Sequence, residues 1–340
     1  MKILFLNIYQ GQVNRGLETF VKVVSKRLKK SYDVDVIGAK KIPPKRTTFP
    51  LIWRFFIDRN SLSILWFTVR CIPIIFMKRY DVVIPLNGGW QSALVRLATW
   101  LYGGKMVILG QSGMGWDDRN NLWSFPNTFV ALSSKGLKWA KKVMPVVNSI
   151  YIPNGVDTTK FKPSGKKFDH KLKHPVILCV SALTVTKQVD LTIEAVAKLK
   201  NVSLLVVGDG ELKEEIKTLG TRLLGNRFKL VKLPYDRMPE VYRTADVFTI
   251  TSESYYSFEI VLVEAMASGL PVVANDDEIR TEIVGNGGLL VDPIDTNKYA
   301  KTLRKALRNN WGNKPRKQAK KFDWDLITKQ YEALFKSLTK

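Results

Sequence analysis

The 340-residue chain carries 54 Lys+Arg against 30 Asp+Glu, a formal net charge of +24, with 45% hydrophobic and 25% charged residues. Such a composition supports folded cores over about two domains and excludes disorder for the bulk of the chain. The only cysteines, Cys71 and Cys179, sit in apolar runs, which excludes a disulfide framework and a Cys-based zinc site.

Taken in chain order, Lys2–Ile8 reads as a buried parallel strand, short and apolar, and no secretory signal is expected there. Gly11–Gly16 is a loop. Leu17–Lys30 has helical spacing, with Leu17, Phe20, Val21, Val24 and Leu28 on one face. Val34–Ile37 is a second strand, and Lys40–Arg59 has no clear period. Leu62–Met77 is the most apolar stretch. It is shorter than the ~20 residues that span a bilayer and is expected as a buried or interfacial helix. The strand Val82–Pro85, the helix Gln91–Tyr102 and the strand Lys105–Gly110 follow. Gly113–Asn127 is expected as a loop rich in Trp, Asp and Asn. Thr128–Leu132 is a strand, Lys135–Val143 a helix, and Tyr151–Asp157 a closing turn.

Phe161–His174, with Pro163, Gly165, His170, His174 and many lysines, reads as a solvated linker. The pattern then restarts. Val176–Val180, Ser203–Val207, Lys229–Leu233, Val247–Thr251 and Pro271–Ala274 are strands. Asp190–Leu199, Glu211–Leu219, Val261–Ser268, Lys298–Asn309 and Asp325–Leu338 are helices. Alternating strands and helices predict two doubly wound parallel sheets.

In such sheets ligands bind at the carboxyl ends of strands. The loop Gly11–Glu18 follows the first strand there, without the Gly-x-Gly-x-x-Gly fingerprint of a dinucleotide fold. Val207-Gly208-Asp209-Gly210-Glu211 is a second glycine turn. Lys187 follows the first strand of the second sheet, where a lysine suits a phosphate. Glu264 heads Ala265-Met266-Ala267 inside an apolar helix. A carboxylate there needs partners, and paired ribose hydroxyls would serve.

Pro153-Asn154-Gly155-Val156-Asp157 with Phe161 and Pro163, Gly208-Asp209-Gly210, Tyr242 with Ala245-Asp246-Val247, and Glu264 through Val273 resemble glycosyltransferase family 4 in order and spacing. Arg15-Gly16-Leu17-Glu18 resembles the family's Gly-Gly-x-Glu loop. The resemblance covers nearly the whole chain. It implies an α/β GT-B fold with two Rossmann-like domains facing a cleft. These would be an acceptor-side domain over 1–157 and a nucleotide-sugar domain over 158–322, with helix 325–338 packing back on the first. It implies transfer of a sugar from a UDP- or GDP-sugar to an acceptor, with retention, without metal, and with no cofactor besides the donor as co-substrate.

By position, Glu264 would hold the donor ribose and Lys187 the leaving diphosphate. Gly16 would let the diphosphate approach the backbone, and Gly208 with Asp209, Gly210, Ile260 and Val261 would line the donor side. Several positions depart from the family. The family's first glutamate, eight positions before Glu264, is Tyr256, and a glycine three further on is Glu259. Glu259 or Glu253 is the candidate substitute. Ala182 replaces an arginine before Leu183, and Gln188 a glycine after Lys187. The strand end Gly110-Gln111-Ser112-Gly113 lacks the family's histidine, leaving Gln111 or Ser112 to bond a sugar hydroxyl. The loop Met114–Trp123 offers Trp, Asp and Asn as replacement sugar contacts. These departures keep a second expectation open: a nucleotide-sugar-binding protein or scaffold with impaired catalysis. Asp33-Val34-Asp35 and Asp276-Asp277 resemble metal motifs but read as structural.

The basic excess is uneven. Residues 1–160 hold 24 Lys+Arg and 8 Asp+Glu, and the rest 30 and 22. No nucleic-acid motif accompanies it. The expectation is an anionic membrane surface, met by Lys22, Lys26, Arg27, Lys29 and Lys30 and by the stretch Lys40–Arg59 with Trp53, Phe55 and Phe56. With it comes a lipid-linked or envelope glycan acceptor and a cytoplasmic, peripheral location.

Overall fold

The computed structural model describes residues 1–13, 16–47, 49–253 and 258–339. Its elements begin β1 (Lys2–Leu6), α1 (Gly16–Leu28), β2 (Asp33–Ile37), α2 (Pro50–Arg54), α3 (Arg59–Lys78) and β3 (Val82–Pro85). Next are α4 (Trp90–Tyr102), β4 (Lys105–Leu109), α5 (Trp116–Trp123), β5 (Thr128–Ala131), α6 (Ser134–Val143) and β6 (Ser149–Tyr151). The second series runs β7 (Val176–Val180), α7 (Val189–Ala197), β8 (Ser203–Val207), α8 (Lys213–Leu224), β9 (Phe228–Val231), α9 (Met238–Tyr242) and β10 (Val247–Ile250). It closes with α10 (Ile260–Ala267), β11 (Val272–Asn275), α11 (Glu278–Val284), β12 (Gly288–Val291), α12 (Thr296–Arg308), α13 (Lys314–Lys320) and α14 (Trp324–Leu338). Met1–Asn154 with Trp324–Lys340 form one unit, and Gly155–Asp323 the other.

The first unit holds a six-stranded parallel sheet in the order β2-β1-β3-β4-β5-β6. Its inner strands β1, β3 and β4 are apolar beyond their first residues because both faces are covered, whereas the edge strand β2 carries Asp33 and Asp35. Ile3 and Phe5 of β1 point to one side, into a core with Phe20, Val24, Trp324 and Tyr331. Leu4 and Leu6 point to the other, toward Cys71, Ile75, Val95 and Ala98 of α3 and α4. The C-terminal helix α14 packs on α1, with Phe20 edge-on to Trp324 and Tyr331 at 5.8 and 5.4 Å. Asp58 caps α3 by accepting from the amides of Asn60 and Ser61, so α3 starts earlier than expected and reaches 20 residues.

Two further expectations change here. Gly113–Asn127 is not all loop, because Trp116–Trp123 is helical with Asp118, Asn121 and Leu122 on its buried face. The closing turn is preceded by a sixth strand, β6, too short for its period to show.

The second unit orders its strands β12-β11-β10-β7-β8-β9, again all parallel. Chain order reverses between β7 and β10, so the switch point lies at their carboxyl ends. That is where a doubly wound sheet opens a crevice for a ligand. The expected linker Phe161–His174 is instead part of this unit. Phe161 is fully buried against Tyr242, and His170 is buried with its Nδ1 accepting from the Leu172 amide. His174 is exposed, 2.7 Å from Asp246, and the lysine-bearing run 162–167 is exposed as expected. Helices α9, α11 and α13 and strand β12 were not anticipated, because segments of four to seven residues carry too little periodicity.

Candidate functional site

The loops after β7 and β10 meet at the switch point. The Glu253 amide donates to the Thr186 carbonyl at 3.0 Å, and the Thr251 hydroxyl donates to the carbonyls of Lys187 and Gln188. Lys187 lies at this mouth. Its Nζ donates to Oε1 of Glu259 at 2.9 Å, and both side chains are largely buried. The same Oε1 accepts from the Ser252 hydroxyl at 2.8 Å and from the Arg280 guanidinium at 3.2 Å. Burial pushes the Glu259 carboxyl up, but Lys187 and Arg280 outweigh it and hold the group below its ordinary value. Arg280 is fully buried and also pairs with Asp277 at 2.9 Å. Two cations and two carboxylates therefore alternate across the floor of the crevice.

Glu259 immediately precedes α10, and Glu264 lies on it one turn further along. Glu264 is buried, and its two oxygens accept from the Tyr235 hydroxyl at 2.6 Å and the Tyr242 hydroxyl at 2.9 Å. Burial pushes its pKa up to about 7, against the pull of both hydroxyls. The carboxylate thus has protein partners already, beside the lone pairs left for a ligand. Lys160 stands 4.6 Å over the Tyr235 ring and lowers the cost of a charge on Glu264. Ile260 and Val261 open α10, where the first amides of a helix have no acceptor in the preceding turn.

Gly208 and Gly210 owe their identity first to the chain itself. A Cβ on Gly208 would lie 1.9 Å from the Ser181 carbonyl oxygen, and one on Gly210 2.4 Å from that of Leu183. The Leu183 amide donates to the Asp209 carbonyl at 3.0 Å, so this turn fixes the loop that carries Lys187. Asp209 points to Lys232 at 2.6 Å and Lys213 at 3.7 Å. Gly208→Ala is expected to destabilise the protein by about 3 kcal/mol, measured by urea unfolding, since backbone on both sides must move.

The remaining expected residues lie in the first unit. Gly16 is the first residue of α1, exposed. Gln111 exchanges side-chain bonds with Asn154 at 3.4 Å. Arg15 and Tyr256 fall outside the described residues. The anticipated sugar contacts of Met114–Trp123 are largely committed to local structure. Asp117 grips Arg46, Asn121 bonds Ser92 and Asp118, and the Trp116 indole donates to the Arg54 carbonyl. Asp118 is buried under the Ser112–Gly113 turn, and burial pushes its pKa up to about 8. Asp35 accepts from Lys78 and Tyr80, and Asp277 caps α11. Among the described residues no group of three or more His, Cys, Asp or Glu is placed to hold a metal ion.

Residues 161–322 match the profile of the family described as Glycosyl transferases group 1. That segment, just under half of the chain, is similar to this family. Among curated relatives, sulfoquinovosyl transferase SQD2 of Arabidopsis thaliana is 29% identical over 191 residues, 51% of this chain and 37% of that protein. Phosphatidyl-myo-inositol mannosyltransferase of Mycolicibacterium smegmatis is 25% identical over 222 residues, 62% of this chain and 57% of that protein. The chain thus spans between about a third and three fifths of these curated relatives. Among solved structures, Anabaena HepE in complex with UDP and glucose superposes with a TM-score of 0.76 at 20% identity, covering 99% of this chain and 100% of that one. The fold is GT-B.

Arg280, Tyr235 and Lys160 were not identified as site residues from the sequence. Arg280 sits on an unanticipated helix, though its i,i+3 spacing from Asp277 was a readable signal of a capped turn.

Proposed function

We propose that this protein is a group 1 glycosyltransferase that transfers a hexose from a UDP- or GDP-sugar to a lipid-linked or envelope glycan, with retention and without a metal. The observation that carries the reading is the meeting of Lys187 with α10 at the switch point of the second sheet, on a helix that also bears Glu264. In this reading the Lys187 ammonium faces the diphosphate as its charge grows, which favours the transition state over the ground state. Glu264 accepts from the ribose hydroxyls. The three bonds to Glu259 fall on Oε1, so Oε2 is the atom that would accept a sugar hydroxyl. The first unit takes the acceptor at the inner, anionic face of a membrane, and no cofactor is needed besides the donor. Related names support this class, since the mycobacterial relative acts on a phosphatidyl-inositol lipid.

Incubation of the full chain with a panel of UDP- and GDP-sugars, with lipid extracts as acceptors, tests the reading. The expected result is release of one nucleoside diphosphate, with the sugar recovered in the lipid fraction and no loss in EDTA. Donor binding with no release from any mixture would overturn it, as would a strict requirement for Mn2+.

A further inference from the structure

Helices α3 and α4 cover one face of the first sheet, and each turns a second apolar stripe outward. On α3, Ile64, Cys71 and Ile75 enter the core, whereas Leu62, Trp66, Val69 and, two turns on, Phe76 are exposed. On α4, Val95 and Ala98 are buried, whereas Leu97, Trp100 and Leu101 are exposed. Trp66 and Trp100 leave 63% and 67% of their surface uncovered. An apolar face spread over two neighbouring helices exceeds the scattered exposed residues of an ordinary soluble surface.

Its charge setting narrows the partner. Residues 40–105 hold 11 Lys and Arg against 2 Asp and no Glu. One of those acids, Asp58, is buried as the cap of α3, and the other, Asp81, accepts from the Lys2 amide. Tryptophans and leucines within a basic rim match the boundary between anionic headgroups and acyl chains. A second copy of this chain would instead bring like charge against like.

We infer that the outward face of α3 and α4 is the membrane-docking surface, its tryptophans seated among the acyl chains of an anionic lipid layer. The inference rests on the lipid-acceptor reading above and specifies where the contact is made. It also moves the contact. The basic face of α1, expected from the sequence to meet the membrane, covers the opposite side of the same sheet: Ile3 and Phe5 point toward α1, while Leu4 and Leu6 point toward α3 and α4. One flat surface cannot meet both. The helix lies on the membrane rather than crossing it. Leu51–Lys78 is long and apolar enough to span by length and composition, but spanning would pull Cys71 and Ile75 out of the core.

Flotation of the full chain with vesicles of phosphatidylglycerol and phosphatidylcholine bearing brominated acyl chains tests this. The chain should float with the vesicles, its tryptophan fluorescence should be quenched by the bromines, and part of the binding should survive about 0.5 M salt. Trp66→Ser/Trp100→Ser should lower vesicle partitioning by about tenfold or more, and Lys22→Ser/Lys26→Ser by less than about twofold. Leu97→Ser/Leu101→Ser should act as the tryptophan pair does, so that the result does not hang on one variant's folding. No flotation, no quenching, or loss only in the lysine variant would overturn the inference. So would a lipid-free dimer that the tryptophan variant converts to monomer. Hydrolysis of a soluble nucleotide sugar, read on the same variants, should be unchanged. Absent turnover with tryptophan-dependent flotation defeats the catalytic reading alone. Normal turnover with no flotation defeats this surface alone.

Discussion

Lys187→Ala is expected to lower kcat/KM for sugar transfer by about a hundred- to a thousandfold, the usual cost of losing one preorganised group aimed at developing charge. The loss should fall mainly on kcat, because the diphosphate carries more charge leaving than bound. Folding should survive. Glu259 keeps Arg280 and the Ser252 hydroxyl as partners, so its burial remains compensated at a cost of about 1–3 kcal/mol. Lys187→Arg should retain part of the activity, since the charge stays while its point geometry is lost. Steady-state kinetics beside thermal melts separates the two effects. A loss under about threefold in kcat/KM for Lys187→Ala would remove the lysine from the chemistry.

The second large effect concerns Glu264 and has opposite signs for stability and for binding. Burial raises the Glu264 pKa to about 7, above the ordinary 4.5. A raised carboxyl pKa stabilises the fold fully below about pH 4.5, and that contribution is lost as pH rises through about 7, some 3 kcal/mol in all. In the proposed donor site ribose hydroxyls would donate to the ionised form, so donor affinity should run the other way and fall as pH drops below about 7. Glu264→Gln should flatten the stability slope and weaken donor binding by about ten- to a hundredfold, because the amide offers a single oxygen acceptor where two tyrosines and a ribose compete. Asp118, raised by burial to about 8, adds a slope of the same sign, so the difference between wild type and Glu264→Gln isolates the glutamate. Urea unfolding from pH 5 to 8, with donor KM over the same range, provides both curves. A wild-type KM independent of pH would contradict the assignment.

What the residues disclosed, and what they hid, follows from the length scale of each signal. The long apolar runs of β1, β3, β7 and β8 and the amphipathic helices α1, α12 and α14 were readable because burial on one or both faces repeats over whole elements. The places of Lys187 after β7, Glu264 in α10 and the Gly208 turn after β8 were readable from residue type and position. Their partners were not. Glu264 is held by tyrosines 22 and 29 positions away, and Lys187 by a carboxylate 72 positions on, and nothing local records such pairings. Ala182 leaves no arginine beside Lys187, yet Arg280 reaches the same carboxylate from another helix. The acidic loop at Trp116 looked like a sugar grip because Asp and Asn are common to both roles. A bidentate ion pair to Arg46 and a buried Asp118 are tertiary facts.

Calorimetric titration of UDP and GDP into the full chain, with Lys187→Ala and Glu264→Gln beside it, tests the central claim most directly. One of the two nucleotides should bind the wild type, bind each variant at least about tenfold more weakly, and release a proton on binding near pH 6 as Glu264 ionises. Binding of neither nucleotide, or equal affinity for all three proteins, would contradict a nucleoside diphosphate site built on Lys187 and Glu264.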